Sequence, residues 1–186
     1  MIVALSTSSP MVGVALIGDN WSRVAQEQSS TNASGVCLKL LDELLSEVKM
    51  AVSDATAFAA DIGPGSFIGV RVSATLAKTM AFALGKPCYV ASSFDLIDPN
   101  SVVSFPSKKG EWFVREPGSE VVRVTERPKN SVGFGTGVEN PVYPNPLRFG
   151  ELIAHGLEPV DPFAVVPEYL IEPSISTPKP IPGVHA

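Results

Sequence analysis

The sequence predicts an α/β domain, and three observations carry that prediction. The first is a set of short apolar runs near the N-terminus, Ile2 to Thr7 and Met11 to Ile17, with an alternating segment from Trp21 to Glu27. Runs of this length bounded by turn residues read as strands. The second is a pair of longer segments with helical texture, from about Ala33 to Lys49 and from about Val70 to Gly85. The third is the join before the second of these, Gly63-Pro64-Gly65-Ser66-Phe67-Ile68-Gly69-Val70-Arg71. Three glycines and a proline permit a tight turn and a close backbone approach. A three-stranded meander, helix, strand, helix and strand then make one lobe.

The elements follow in order. Ser8-Ser9-Pro10 divides the first two apolar runs, and Gly18-Asp19-Asn20 supplies the hairpin signal before Trp21. The polar run Gln28-Ser29-Ser30-Thr31-Asn32 offers N-caps for the first helix. At about 100° per residue, Val36, Cys37, Leu38, Leu40, Leu41, Leu44, Leu45 and Val48 spread over roughly 200°. A helix lying on a sheet needs an apolar stripe of little more than about 100°. The excess, chiefly Leu38, Leu41 and Leu45, requires a second partner, either the next helix of this chain or another protein. Ala55 to Ile62 is a buried-strand candidate, and the Ala-rich helix after the glycine turn is apolar nearly all round, so it too is expected to be covered on both sides. Gly85 suits its C-terminus. Lys86 to Ala91 reads as a strand with Pro87 at its start, and Ser92-Ser93 as a cap for a short helix over Phe94 to Ile97.

The texture changes at Asp98-Pro99-Asn100-Ser101. Prolines multiply (Pro106, Pro117, Pro128, Pro141, Pro144, Pro146), and the strand candidates shorten to Val102–Phe105, Glu111–Arg115, Glu120–Val124 and Val132–Gly135. Leu147 to His155 is the one helix expected there. The organisation is therefore a first lobe over 1–98, a shortened second lobe over 99–172, and a Pro-rich tail over 173–186 that is extended or disordered.

Composition bounds the function. The chain has 186 residues, 45% of them hydrophobic and 18% charged, which suits a domain with a sizeable core. Its net charge is −5, against the basic balance that gripping a nucleic acid requires. Two cysteines, Cys37 and Cys88, make no disulfide framework and read as buried thiols. Met1 to Leu5 lacks the cationic region of a secretory signal, and no apolar run approaches the length of about 18 residues needed to span a membrane. A cytoplasmic protein is expected.

The residues offer little conventional catalytic machinery. The glycine turn is neither a phosphate loop with Gly-Lys-Ser/Thr nor a dinucleotide Gly-x-Gly-x-x-Gly, although its N–H groups at a helix start favour anions. Its glycines serve equally to let a helix pack closely on its strand. Ser66 superficially resembles a nucleophile elbow but lacks the Gly-x-Ser-x-Gly pattern. The histidines, His155 and His185, are too far apart in sequence to share a helix face as metal ligands. Asp61 and Arg71 flank the turn and are candidates for an ion pair.

The nine residues from Gly63 to Arg71, followed by the Ala-rich helix, resemble the signature of the TsaB (YeaZ) family, with Ile68 where that signature has Thr. The resemblance continues at Lys108-Lys109-Gly110-Glu111-Trp112-Phe113, at Gly135-Thr136-Gly137 and at Val166-Pro167-Glu168-Tyr169-Leu170, against the family's Arg-x-Gly-Glu-Val-Tyr, Gly-Thr-Gly and Pro-x-Tyr-Leu. It implies an actin/hexokinase/Hsp70-like (ribonuclease H-like) first lobe with a degenerate, shortened second lobe. It also implies a role as non-catalytic subunit in making N6-threonylcarbamoyladenosine at position 37 of tRNA. The implied partners are a catalytic TsaD-like subunit and a TsaE-like ATPase, with a possible homodimer and tRNA reached only through the complex. The implied interface is Leu38, Leu41 and Leu45 with Arg71, Thr75 and Thr79.

No catalytic residue, metal or cofactor is expected in this chain. Related two-lobed kinases and ATPases place an acid at the end of the first strand, where this chain has Ser6. Ser6, Thr7 and Ser8 remain weak candidates for phosphate contact, and an active ATPase or phosphotransferase is the alternative function. The catalytic relative carries a His-x-x-x-His metal pair on its first long helix, and the segment from Ala33 to Lys49 has no histidine.

Overall fold

The computed structural model describes residues 1–29, 31–108 and 110–170; the Pro-rich stretch expected over 173–186, with His185, lies outside the described residues, as do Ser30 and Lys109. The first sheet has five strands in the order β3-β2-β1-β4-β5. They are β1 (Ile2–Ser6), β2 (Met11–Ile17), β3 (Ser22–Gln28), β4 (Ala57–Asp61) and β5 (Cys88–Ala91). The first three form the expected antiparallel meander, whereas β4 runs parallel to β1 and β5 parallel to β4.

Side-chain alternation sets which helices cover each face. Val3 and Leu5, Val12, Val14 and Leu16, and Phe58 and Ala60 point to one core. That core is closed by α1 (Ala33–Val48) and α2 (Phe67–Leu84). The intervening positions, Ala4, Ala15 and Ala59, are small and form the other face. On that face lie α3 (Ser93–Ile97) and α4 (Arg148–Ala154), with Leu96 and Phe149 fully buried. Gly13 permits the approach, since a Cβ there would stand 3.0 Å from Pro146 Cδ. The helix expected in the second part of the chain thus packs on the first sheet. Residues beyond it do so too: Val160 N–H bonds the Cys88 carbonyl at 2.7 Å, and Val165 lies in the first core.

Helix ends follow their expected chemistry. Asn32 caps α1 by accepting from Gly35 N–H, Ser92 caps α3 by accepting from Phe94 N–H, and Gly85 ends α2 with φ of 62°. α2 is long and apolar enough to cross a membrane by length and composition alone, contrary to the sequence-based expectation that no segment would be. Here Val70, Ala74, Ala77 and Ala81 are buried, which makes it a core helix of this fold.

The second sheet has order β8-β7-β6-β9, with β6 (Val103–Pro106), β7 (Trp112–Arg115), β8 (Val122–Val124) and β9 (Val132–Gly133). Its strands are shorter than expected at the β7, β8 and β9 ends. An aromatic column holds it to α3: Phe94 and Phe105 centroids lie 4.6 Å apart, and Phe105 stacks on Phe134 at 5.4 Å. Helix α3 therefore faces two cores, Leu96 in one and Phe94 with Ile97 in the other.

Candidate functional site

The glycine turn joins β4 to α2 and is pressed against the loop between β1 and β2. A Cβ at Gly65 would stand 2.3 Å from the Ser8 carbonyl oxygen, and one at Gly69 only 1.9 Å from that of Thr7. No side chain fits there, so glycine is a packing requirement. Gly63 has a left-handed φ of 99°, which also selects glycine. The contact is fastened by hydrogen bonds. Ser66 N–H donates to the Ser8 carbonyl at 2.7 Å, Thr7 Oγ1 donates to the Gly69 carbonyl at 2.6 Å, and Ser73 N–H donates to Thr7 Oγ1 at 3.0 Å.

Asp61 anchors the same junction from inside. Its fully buried carboxylate accepts from Ser6 Oγ at 2.7 Å, from Ser8 Oγ, from Ser93 Oγ at 2.7 Å and from Gly63 N–H at 2.9 Å. These donors come from the end of β1, the loop after it, the start of α3 and the glycine turn. Burial pushes the Asp61 carboxyl above its ordinary value, while the hydroxyl and N–H donors pull the other way. The expected Asp61–Arg71 pair does not form, because the two side chains point to different environments. Asp61 is enclosed by serines, whereas Arg71 is exposed, with its guanidinium carbon 3.9 Å from the Phe67 ring centroid and its Nε donating to Tyr169 Oη at 2.8 Å. Sequence reasoning missed both the serine cage and this Arg71–Tyr169 link between the glycine turn and the closing Pro-x-Tyr-Leu segment.

Ser6, Thr7 and Ser8, the weak phosphate candidates, are buried, with their hydroxyls donated to Asp61 and to the Gly69 carbonyl. Ser66 Oγ accepts from Gly69 N–H as the N-cap of α2. His155 sits at the end of α4, its Nδ1 paired with the Glu151 carbonyl at 2.7 Å, and the structure does not bring it to Ser66. Cys37 and Cys88 are buried free thiols, pushed up by burial to about 12 and about 11. Among the described residues, no group of three or more His, Cys, Asp or Glu side chains is placed to hold a metal.

The expected interface residues divide. Leu41 is 7% exposed and belongs to the first core, and Leu45 packs against that core. This corrects the count of surplus apolar surface: α1 touches both the sheet and α2, so a wider stripe is covered than a helix on a flat sheet would need. Leu38, by contrast, is 49% exposed, and Thr75 and Thr79 are exposed on α2. The outer side of α2 is less covered than expected, with Ile68 72% and Phe82 62% exposed. Among the described residues, the segment that follows α4 meets part of it, with Phe163 edge-on to Phe82 at 4.9 Å and Tyr169 against Phe67 at 5.4 Å.

The family profile of TsaD, tRNA N6-adenosine threonylcarbamoyltransferase, matches residues 24–102. The tRNA threonylcarbamoyladenosine biosynthesis protein TsaB of Bacillus subtilis is 33% identical over 101 residues, 53% of this chain and 44% of that protein. TsaB of Haemophilus influenzae is 33% identical over 86 residues, 46% of this chain and 36% of that protein. The chain thus matches less than half the length of these curated relatives. In three dimensions, YeaZ from Pseudomonas aeruginosa superposes with a TM-score of 0.73 at 21% identity, covering 91% of this chain and 99% of that one. A protein described as similar to peptidase YeaZ from the same organism gives a TM-score of 0.77 at 19% identity, with the same coverage. The two-sheet α/β fold is the actin-like one expected from the glycine signature. Over about half of its length the chain is thus similar in sequence to TsaB proteins, and its fold is that of the YeaZ structures.

Proposed function

We propose that this protein is a non-catalytic subunit of the machinery that makes N6-threonylcarbamoyladenosine at position 37 of tRNA, and that it acts by docking on a TsaD-like catalytic subunit. The observation that carries the reading is the open apolar surface on the helical side of the first lobe, where Leu38, Ile68 and Phe82 are each about half or more exposed. Fully burying one such side chain is worth roughly 1.5–3 kcal/mol, so a partner covering all three gains a substantial hydrophobic core for its interface. Thr75 and Thr79 on α2 supply polar positions beside it.

In this reading the protein contributes by contacts that favour the partner's active conformation, because a subunit shifts an equilibrium only through differential binding. Threonylcarbamoyl transfer, with its metal and nucleotide, takes place on the partner. A TsaE-like ATPase joins the assembly, and tRNA is reached through the complex, in keeping with a net charge of −5 that gives this chain no general attraction for phosphates. The same helices serve a homodimer when the partner is absent. The work is cytoplasmic.

The test is size-exclusion chromatography with light scattering on this 19.6 kDa chain mixed with the TsaD-like protein of the same organism, with and without ATP. A one-to-one complex that Leu38→Glu and Phe82→Glu disrupt is the expected result. Absence of a complex under every condition overturns the assignment, and saturable ATP binding by the isolated chain would then favour the two-lobed ATPase.

A further inference from the structure

Beyond the helical face, the molecule has a cleft of about 590 Å³ that no step above uses. It lies between the glycine turn and the start of α2 on one side and the hairpin from β6 to β7 on the other, with the segment around Glu168 as its third wall. It is separate in composition from the neighbouring cleft of about 450 Å³ at Ser8, Gly135 and Thr136, sharing with it only Gly65, Ser66 and Pro106. A volume of this size suits a small molecule.

Four features give the cleft chemical character. Arg71 is fixed in place by the Phe67 ring and by its Nε–H bond to Tyr169 Oη, which leaves its terminal nitrogens without a partner among the described residues. Lys108 on the facing wall likewise has no acidic partner among the described residues. Ser107 Oγ is buried in the wall and has no hydrogen-bond partner among the described residues. A buried hydroxyl without a partner costs free energy, which rotation of the Ser107 side chain about χ1 toward a ligand oxygen would recover. The fourth feature is apolar: Phe67, Phe113 and Tyr169 line the same space and offer faces to a ring or chain. Glu168 is the one acid among the described lining residues, and the cation its carboxylate feels is Arg115.

We propose that this cleft binds a small amphipathic anion, a carboxylate or phosphate monoester carrying an apolar body, with its charged end at Arg71, Lys108 and Ser107 and its body on Phe67, Phe113 and Tyr169. The assignment is independent of docking to a catalytic subunit. Arg71 supplies a directional fork and Lys108 a point charge, the combination that suits oxyanions. Glu168 lowers the affinity for a pure anion, because its like charge opposes the ligand. It selects ligands that also carry a hydrogen-bond donor.

The experiment is an NMR titration of the ¹⁵N-labelled full chain at pH 7 with phenyl phosphate, phenylacetate and inorganic phosphate. Saturable shifts are expected at the amides of Gly65, Ser66, Phe67 and Lys108 with the two phenyl probes. Whichever of the two binds more tightly identifies the anionic group the cleft prefers. Inorganic phosphate, which leaves the aromatic wall empty, should bind at least about tenfold more weakly. Lys108→Gln should weaken phenyl phosphate by about tenfold, while Glu168→Gln should tighten it. Glu168→Gln is a mild change, since the backbone N–H of residue 168, which bonds the Ile62 carbonyl at 2.7 Å, is retained. Opposite signs for these two variants are what a merely structural role would not produce. The proposal is overturned if neither phenyl probe saturates, if the shifts centre on Gly135 and Thr136, if inorganic phosphate binds as well as the phenyl probes, or if both variants move affinity the same way.

Discussion

Replacing Gly69 with alanine tests the central packing argument, because two opposing terms of known size meet at that position. In an ordinary helix interior the change stabilises, by about 1 kcal/mol. Here the new Cβ would sit 1.9 Å from the Thr7 carbonyl oxygen, a backbone atom with no rotamer to escape through. Restoring ordinary contact requires the start of α2 and the loop after β1 to part by roughly 1.5 Å. That displacement breaks two bonds at Thr7 Oγ1, the one donated to the Gly69 carbonyl at 2.6 Å and the one accepted from Ser73 N–H at 3.0 Å. Each such bond is worth about 0.5–1.5 kcal/mol, and overpacking adds about 1–3 kcal/mol. The expected net loss is about 1–5 kcal/mol, equivalent to a fall in Tm of roughly 2–20 °C for a chain of this size. Urea melts followed by circular dichroism should show a lower midpoint with an unchanged slope. Gly150→Ala on α4 is the control, since its Cβ would meet only the Ile17 side chain, at 3.3 Å, and should change stability by less than about 1 kcal/mol. A Gly69→Ala variant as stable as the parent would refute the reasoning.

Three further outcomes follow from the same geometry. Leu41→Glu places a charge in the first core and should unfold the chain or cost several kcal/mol, whereas Leu38→Glu should leave the thermal melt unchanged and act only on partner binding; equal melting of the two variants would contradict the division between them. Asp61→Asn addresses pH dependence. Because burial raises the folded-state pKa of Asp61 above 3.8, its contribution is fully present below that ordinary value and is lost as pH rises through the raised one. The stability of the parent relative to Asp61→Asn should therefore fall as pH rises from about 4, and a relative stability that climbs with pH would be the opposite sign. Tyr169→Phe removes the 2.8 Å bond from Arg71 Nε while keeping the ring, so stability should drop by no more than about 0.5–1 kcal/mol at this exposed site. Tyr169→Ala should cost more because it also removes the ring that meets Phe67 at a centroid distance of 5.4 Å.

What the sequence made legible was the local structure and the one junction whose constraints are local. The hairpin at Gly18, the caps at Asn32 and Ser92 and the C-terminal Gly85 each state their role within three or four residues, and the structure uses them so. The glycine turn was legible for the same reason, although which backbone atoms demand Gly65 and Gly69 was not. Ser8 and Thr7 lie about sixty residues upstream, and only the parallel pairing of β1 with β4 brings them there. The Asp61 cage escaped notice because its serines are ordinary turn and cap residues when read singly. They become a binding set only when β1, β4 and α3 end at one place. Leu41 was misjudged because counting degrees of apolar arc treats the sheet as flat, while α1 also leans on α2. One missed feature did have a readable signal. Ala4, Gly13, Ala15 and Ala59 put small residues at alternating positions in the middle of three adjacent strands, which asks for an element packed very close to that face. α4 answers it: a short helix more than fifty residues beyond β5 sets the fully buried Phe149 against this wall of small residues.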